Sequence, residues 1–115
     1  YLAWKPQSPE RLTKAQTMLE KALELYTDTA RLTAVQQLLA EVHVHQGKVE
    51  EAINTLTNTA KVLEEAESNN LQLAEVYSRL GELYQLQGDT EQATKFLHQS
   101  VSIFREIRLR AHVMQ

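Results

Sequence analysis

An all-α fold is what the sequence predicts, on three observations: scarce helix breakers, apolar residues recurring near every 3.6 positions, and caps that divide the chain into about five segments. Only three Gly and two Pro occur among 115 residues, and both Pro stand within the first nine. The remainder is rich in Leu, Ala, Glu and Gln, which lose little side-chain freedom in a helix. No segment alternates at period two for long enough to read as a strand. With 43% hydrophobic and 23% charged residues, 115 residues suit one domain with a modest core, residues 1–115.

The first helix is expected to begin at Ser8-Pro9-Glu10, where Ser8 caps and Pro9 takes the first helical position, at which a missing N–H costs nothing. Its stripe is Leu12, Ala15, Leu19, Ala22, Leu23 and Tyr26. Thr27-Asp28-Thr29 breaks it, and Asp28 can cap a second helix with stripe Leu32, Val35, Leu38, Leu39 and Val42, ended by Gly47. The third helix carries Val49, Ala52, Ile53, Leu56, Ala60 and Leu63, followed by the loop Ser68-Asn69-Asn70. The fourth has Leu73, Val76, Tyr77, Leu80, Leu83 and Tyr84 and ends at Gly88. The fifth starts at Asp89, with Gln92 three residues on as in a capping box, and runs through Ala93, Leu97, Val101, Phe104 and Ile107. Short connections predict antiparallel neighbours.

The strongest signal is an internal repeat. Leu39 aligns with Leu80, Ala40 with Gly81, Gly47 with Gly88, Glu50 with Glu91, Ala52 with Ala93 and Leu56 with Leu97, each pair 41 positions apart. One offset thus matches a helix, a glycine turn and a second helix. Tyr77, Leu80, Gly81 and Tyr84, then Gly88, Ala93, Leu97 and Ser100, resemble the tetratricopeptide repeat (TPR) family, with Tyr77 in its Trp position. The earlier copy has Gln36, Leu39, Ala40 and His43, then Gly47, Ala52, Leu56 and Thr59.

The resemblance covers about residues 8–107 and divides the chain into a half repeat (8–26) and two repeats (29–67 and 70–110). Two features depart from the common pattern: the period of 41 exceeds the usual 34, and the proline that closes the second helix is absent, with Glu64 and Arg105 near its place. The resemblance implies antiparallel hairpins stacked as a right-handed α-solenoid. Repeats of this kind share a continuous core because one hairpin cannot bury its apolar face alone.

Composition excludes several function classes. No cysteine means no disulfide, thiol nucleophile or cysteine-bound zinc, and a cytoplasmic location is the default expectation. A net charge of −3 argues against non-specific nucleic-acid binding. No stretch free of charged residues approaches the ~20 needed to span a membrane, and the start Tyr1-Leu-Ala-Trp-Lys-Pro6 lacks the apolar run of an export signal. A chain beginning with Tyr reads as part of a longer protein.

No phosphate-cradling loop, HExxH or nucleophile motif occurs, so no cofactor, metal or catalytic residue is expected. His43 and His45, two apart, point about 200° apart on a helix and cannot easily grip one metal; His43 takes a packing position matching Tyr84. His98 and His112 have no accompanying carboxylates. Glu64, Glu65 and Glu67 read as a solvated cluster, and Arg105, Arg108 and Arg110 as cations complementing a helix C-terminus.

The resemblance implies a non-catalytic interaction module whose first helices line a concave face that binds a partner peptide or helix. Carried over by position, that face comprises Gln37, Glu41, Val44 and His45 from one repeat and Glu75, Ser78, Arg79, Glu82 and Gln85 from the next. Three Glu against one Arg suit a polar or somewhat basic partner, and the paired Lys/Arg clamp for a terminal carboxylate is absent. A regulatory or sensory segment of a larger signalling protein, such as a transcription regulator or NTPase, is the alternative. On the last helix, Phe96, Ile103 and Leu109 lie off the core stripe, with Val113-Met114 beyond, and are expected to pack on a further repeat or on a second copy of the chain.

Overall fold

The computed structural model describes residues 8–25, 28–66 and 70–113. These form α1 (Pro9–Leu25), α2 (Thr29–His45), α3 (Val49–Ala66), α4 (Asn70–Leu86) and α5 (Thr90–Val113), with no strand among the described residues. Tyr26, Thr27, Glu67, Ser68, Asn69 and Met114, named above in stripes, loops or clusters, lie outside them.

The caps form where the sequence places them. Ser8 Oγ accepts from the Arg11 amide at 3.3 Å, and Asp28 Oδ1 from the Ala30 amide at 3.2 Å. Asp89 Oδ1 accepts from the Gln92 amide at 3.1 Å. Each bond satisfies an amide in a first turn that has no partner within its helix. Asn70, expected in a loop, is instead the first residue of α4.

Both glycine turns are the same structure. Gly47 and Gly88 each have φ of 81°, the left-handed region where a side chain is strained. The Lys48 amide donates to His43 O at 2.8 Å and the Gly47 amide to Val44 O at 3.0 Å. Forty-one residues on, the Asp89 amide donates to Tyr84 O at 2.9 Å and the Gly88 amide to Gln85 O at 3.0 Å. This pair of bonds satisfies carbonyls at the end of a helix while reversing the chain.

The chain forms two compact units, Tyr1–Leu56 and Thr57–Gln115, whose boundary falls inside α3. In the first, α1 packs on α2, and the Gln46 side-chain amide donates to Gln16 Oε1 at 3.0 Å. Leu12, Val35, Leu39, Val42, Ala52, Ile53 and Leu56 are buried, together with Thr33, Ala40 and His43. Burial of those last three turns the inward arc of α2 away from Leu38, which is exposed rather than in the core.

In the second unit α4 and α5 pack along their lengths, and Ala60, Leu63, Leu73, Val76, Tyr77, Leu80, Leu83 and Ala93 form the core. Gly81 lies close against α5: a Cβ there would sit 2.6 Å from Leu97 Cγ and 3.2 Å from Ala93 O. Ser100 Oγ donates to Ala74 O at 2.8 Å, tying the middle of α5 to the start of α4.

The inward face of α5 differs from the expected stripe. Leu97, Val101 and Phe104 are exposed, whereas Phe96 and Ile103, expected to point outward, are half-buried. The cause is aromatic. Phe96 stacks parallel to Tyr84 at a centroid distance of 5.6 Å and lies 5.7 Å from Tyr77, and offset ring pairs of this kind add attraction beyond their buried area. With Phe96 and Ser100 turned inward, the 100° step per residue leaves Leu97, Val101 and Phe104 at the edge. Leu109 is exposed, as expected.

Candidate functional site

On α2 the residues Gln37, Glu41 and Val44 are half-buried and His45 is exposed. Their spacing of i, i+4, i+7 and i+8 puts all four on one side of the helix. The opposite side carries Val35, Leu39 and Val42, and the buried His43 beside them has Nδ1 3.4 Å from Gln46 Oε1 and 3.8 Å from Glu51 Oε2 on α3. His43 therefore packs, as its alignment with Tyr84 predicts.

On α4 the residues Glu75, Glu82 and Gln85 are exposed, and Ser78 and Arg79 half-buried, while Val76, Leu80 and Leu83 of the same helix are fully buried. Arg79 Nη1 lies 3.6 Å from Glu82 Oε1. Arg79, Glu82 and Gln85 line one surface depression with Leu86. Three of the five α4 residues are thus brought together; Glu75 and Ser78 share the helix face but not that depression.

Two residues of these faces escaped the sequence reading. Leu86 is exposed beside Glu82 and Gln85, and Leu38 is exposed one turn before Glu41. The repeat offset carries the missing signal: Leu38 stands where the second repeat has Arg79, and Leu86 where the first has His45. Each face therefore combines polar groups with one solvated leucine. A groove that gives orientation through polar groups and affinity through apolar burial needs both.

Among the described residues one titratable group is strongly perturbed. The Tyr77 hydroxyl is pushed well above its ordinary value near 10, first by burial and then by its hydrogen bond to, and the negative charge of, Glu64. Tyr77 donates to Glu64 Oε2, so the exposed Glu64 carboxylate also fixes a core ring. Its phenol stays neutral and serves packing. Among the described residues no group of three or more His, Cys, Asp or Glu is placed to hold a metal ion. No helix among them is long and apolar enough to cross a membrane.

Paired hairpins with matching glycine turns, small residues at the helix contacts and polar outer faces define a helical-repeat protein. Residues 30–106 match the tetratricopeptide repeat family, and the chain belongs to it. Modules of this family generally serve protein–protein interaction and are non-catalytic. A comparison with curated proteins finds no match.

Proposed function

We propose that this chain is a non-catalytic interaction module that binds a peptide or helix of a partner protein. The binding residues are Gln37, Glu41, Val44 and His45 on α2 and Glu75, Ser78, Arg79, Glu82 and Gln85 on α4, joined by Leu38 and Leu86. The observation that carries this reading is the division of α4: its core side is fully buried, and its other side gathers Arg79, Glu82, Gln85 and Leu86 around one depression. Glu41 and Glu82 occupy the same repeat position and supply acidic character at each face. A polar or basic segment with an apolar anchor fits that chemistry.

The test is affinity capture on the immobilised protein, in wild-type form and with Glu41→Lys and Glu82→Lys together. Glu65→Lys, a charge reversal at an exposed position of α3, is the control. Capture of the partner should fall about tenfold in the double variant and persist in the control. Equal capture by all three proteins would remove α2 and α4 from the binding site.

A further inference from the structure

One cleft in the second unit has walls whose side chains the repeat does not explain. Helices α3 and α5 flank a surface cleft of about 200 Å³, with Tyr77 and Leu80 of α4 at its floor. Lys61 and Glu64 belong to the α3 wall, and Lys95 and Phe96 to the α5 wall. Forty-one positions away these four correspond to Ser102, Arg105, Asn54 and Thr55. Leu80, by contrast, keeps its counterpart Leu39, and Ala93 its counterpart Ala52. The packing frame is repeated and the lining of the cleft is not.

What this cleft offers a ligand is charge. Tyr77 and Leu80 are 6% and 0% exposed, so an apolar side chain entering it covers little new surface at the floor. Lys61 and Lys95 are both exposed, one on each wall, and Lys95 Nζ lies 5.4 Å from the centroid of the Phe96 ring. Glu64, the acid in the lining, accepts from the Tyr77 hydroxyl. Two ammonium groups across a cleft with low-dielectric walls focus a positive potential, in a chain whose net charge is −3. A volume near 200 Å³ is below the ~300 Å³ of sites that enclose drug-sized ligands, and it suits one or two side chains.

We propose that this cleft binds an acidic segment of a partner protein, with a Glu or Asp carboxylate held between Lys61 and Lys95 and its methylene stem against the Phe96 ring. A basic segment meets two like charges on entering. Nucleic acid is also anionic, but its affinity grows with the number of phosphates neutralised, and two lysines in an acidic chain neutralise few. The site is separate from the α2 and α4 faces proposed above, where Glu41 and Glu82 suit a segment of the opposite charge. It opens on the Tyr77 side of α4, whereas Glu75, Ser78 and Glu82 stand on the other side of that helix. One module thus engages an acidic and a basic segment on different surfaces.

The experiment follows the backbone amides of the full chain by NMR at about 20 mM salt, where exposed charges are weakly screened. Two probes are titrated, a flexible Gly/Ser peptide with a central run of Glu and the same peptide with Gln in place of each Glu. The Glu peptide should shift amides around Lys61 and Lys95 with a Kd below about 1 mM, and the Gln peptide should bind at least about tenfold more weakly. Lys61→Gln and Lys95→Gln, both at exposed positions, should keep the helical circular dichroism spectrum and weaken the Glu peptide about threefold each. Lys21→Gln, at an exposed position of α1, removes the same charge outside the cleft and should leave binding unchanged. The proposal is overturned by equal shifts with the Gln peptide, or by no shift near Lys61 and Lys95 up to about 5 mM Glu peptide. It is overturned equally by a loss in Lys21→Gln matching that of the cleft variants, or by tighter binding of an oligothymidylate at the same amides. Shifts of those amides with protein concentration alone would assign the cleft to a second copy of the chain instead.

Discussion

At Gly47 and at Gly88 the backbone has the same φ and the same two terminal hydrogen bonds, yet the side chains around the two turns have little in common. The second hairpin sets three rings together, Tyr77, Phe96 and Tyr84. The first has Gln36, Thr55 and His43 at the equivalent positions. Small residues differ as well: Ala40 in the first hairpin corresponds to Gly81 in the second, where no Cβ fits without displacing Leu97. The reversal is therefore specified by the backbone at one left-handed residue, and the filling is free to vary in chemistry and in volume. Three rings add far more bulk to the second hairpin than the methyl lost at Gly81 removes, so the two hairpins are filled differently.

The sharpest test of that difference is Gly81→Leu. A side chain at Gly81 meets Leu97 Cγ at 2.6 Å and the Ala93 carbonyl at 3.2 Å before its own branches are added. Overpacking of this kind is expected to cost about 3 kcal/mol, read as a fall in the urea midpoint with an unchanged slope. Gly81→Ala adds only the Cβ and gains helix propensity of about 1 kcal/mol, so its net loss should be smaller. Thermal and urea stability of Gly81→Leu equal to wild type would mean that the α4–α5 approach at Gly81 is not tight.

A smaller and symmetric effect belongs to the turns. Gly47→Ala and Gly88→Ala each force a Cβ into φ near 81°, and neither position has a neighbouring atom within 4 Å to clash with. The cost is purely conformational, about 1 kcal/mol each. Because the turns are alike, the two losses should agree within about 0.5 kcal/mol in urea titrations. Unequal losses would show that the turns contribute differently despite equal geometry.

Much of this arrangement was legible in the sequence. The helices, their caps and both turns follow from local chemistry: Ser8, Asp28 and Asp89 accept first-turn amides, and glycine alone is at ease at φ of 81°. The offset of 41 then placed Ala52 with Ala93 and His43 with Tyr84. What failed was the rotation of α5. A periodic stripe says that Leu97, Val101 and Phe104 share a side with one another, but not whether a neighbouring helix covers that side. The stacking of Phe96 on Tyr84 is a contact between α5 and α4 with no trace in the spacing of either helix alone. Leu38 failed for a related reason, since α2 buries Thr33, Ala40 and His43 in a wide arc that apolar spacing does not reveal. The α2 and α4 faces proposed for binding are legible only as the residues left over from the core, which is why the solvated Leu38 and Leu86 carry no signal there.

The finest difference between the hairpins is titratable. Tyr77 is buried with its hydroxyl on Glu64, and its place in the first hairpin is taken by Gln36, which has no proton to lose in the accessible range. Folding raises the Tyr77 pKa above the unfolded value near 10, because burial and the adjacent carboxylate both disfavour the phenolate. The neutral phenol is therefore favoured in the fold. Its contribution is complete below pH 10 and is lost as pH rises past 10, when the unfolded chain releases the proton that the folded chain retains. Tyr77→Phe keeps the ring and removes the hydroxyl. It should cost about 1.5 kcal/mol near neutrality, the lower end of the net worth of a hydrogen bond to a charged acceptor, since Glu64 is exposed. The other tyrosines and lysines titrate alike in both proteins, so the gap between wild type and variant isolates Tyr77. That gap should close as urea midpoints are followed from about pH 7 to about pH 11. A gap that stays constant across that interval would place the Tyr77 hydroxyl in water rather than on Glu64.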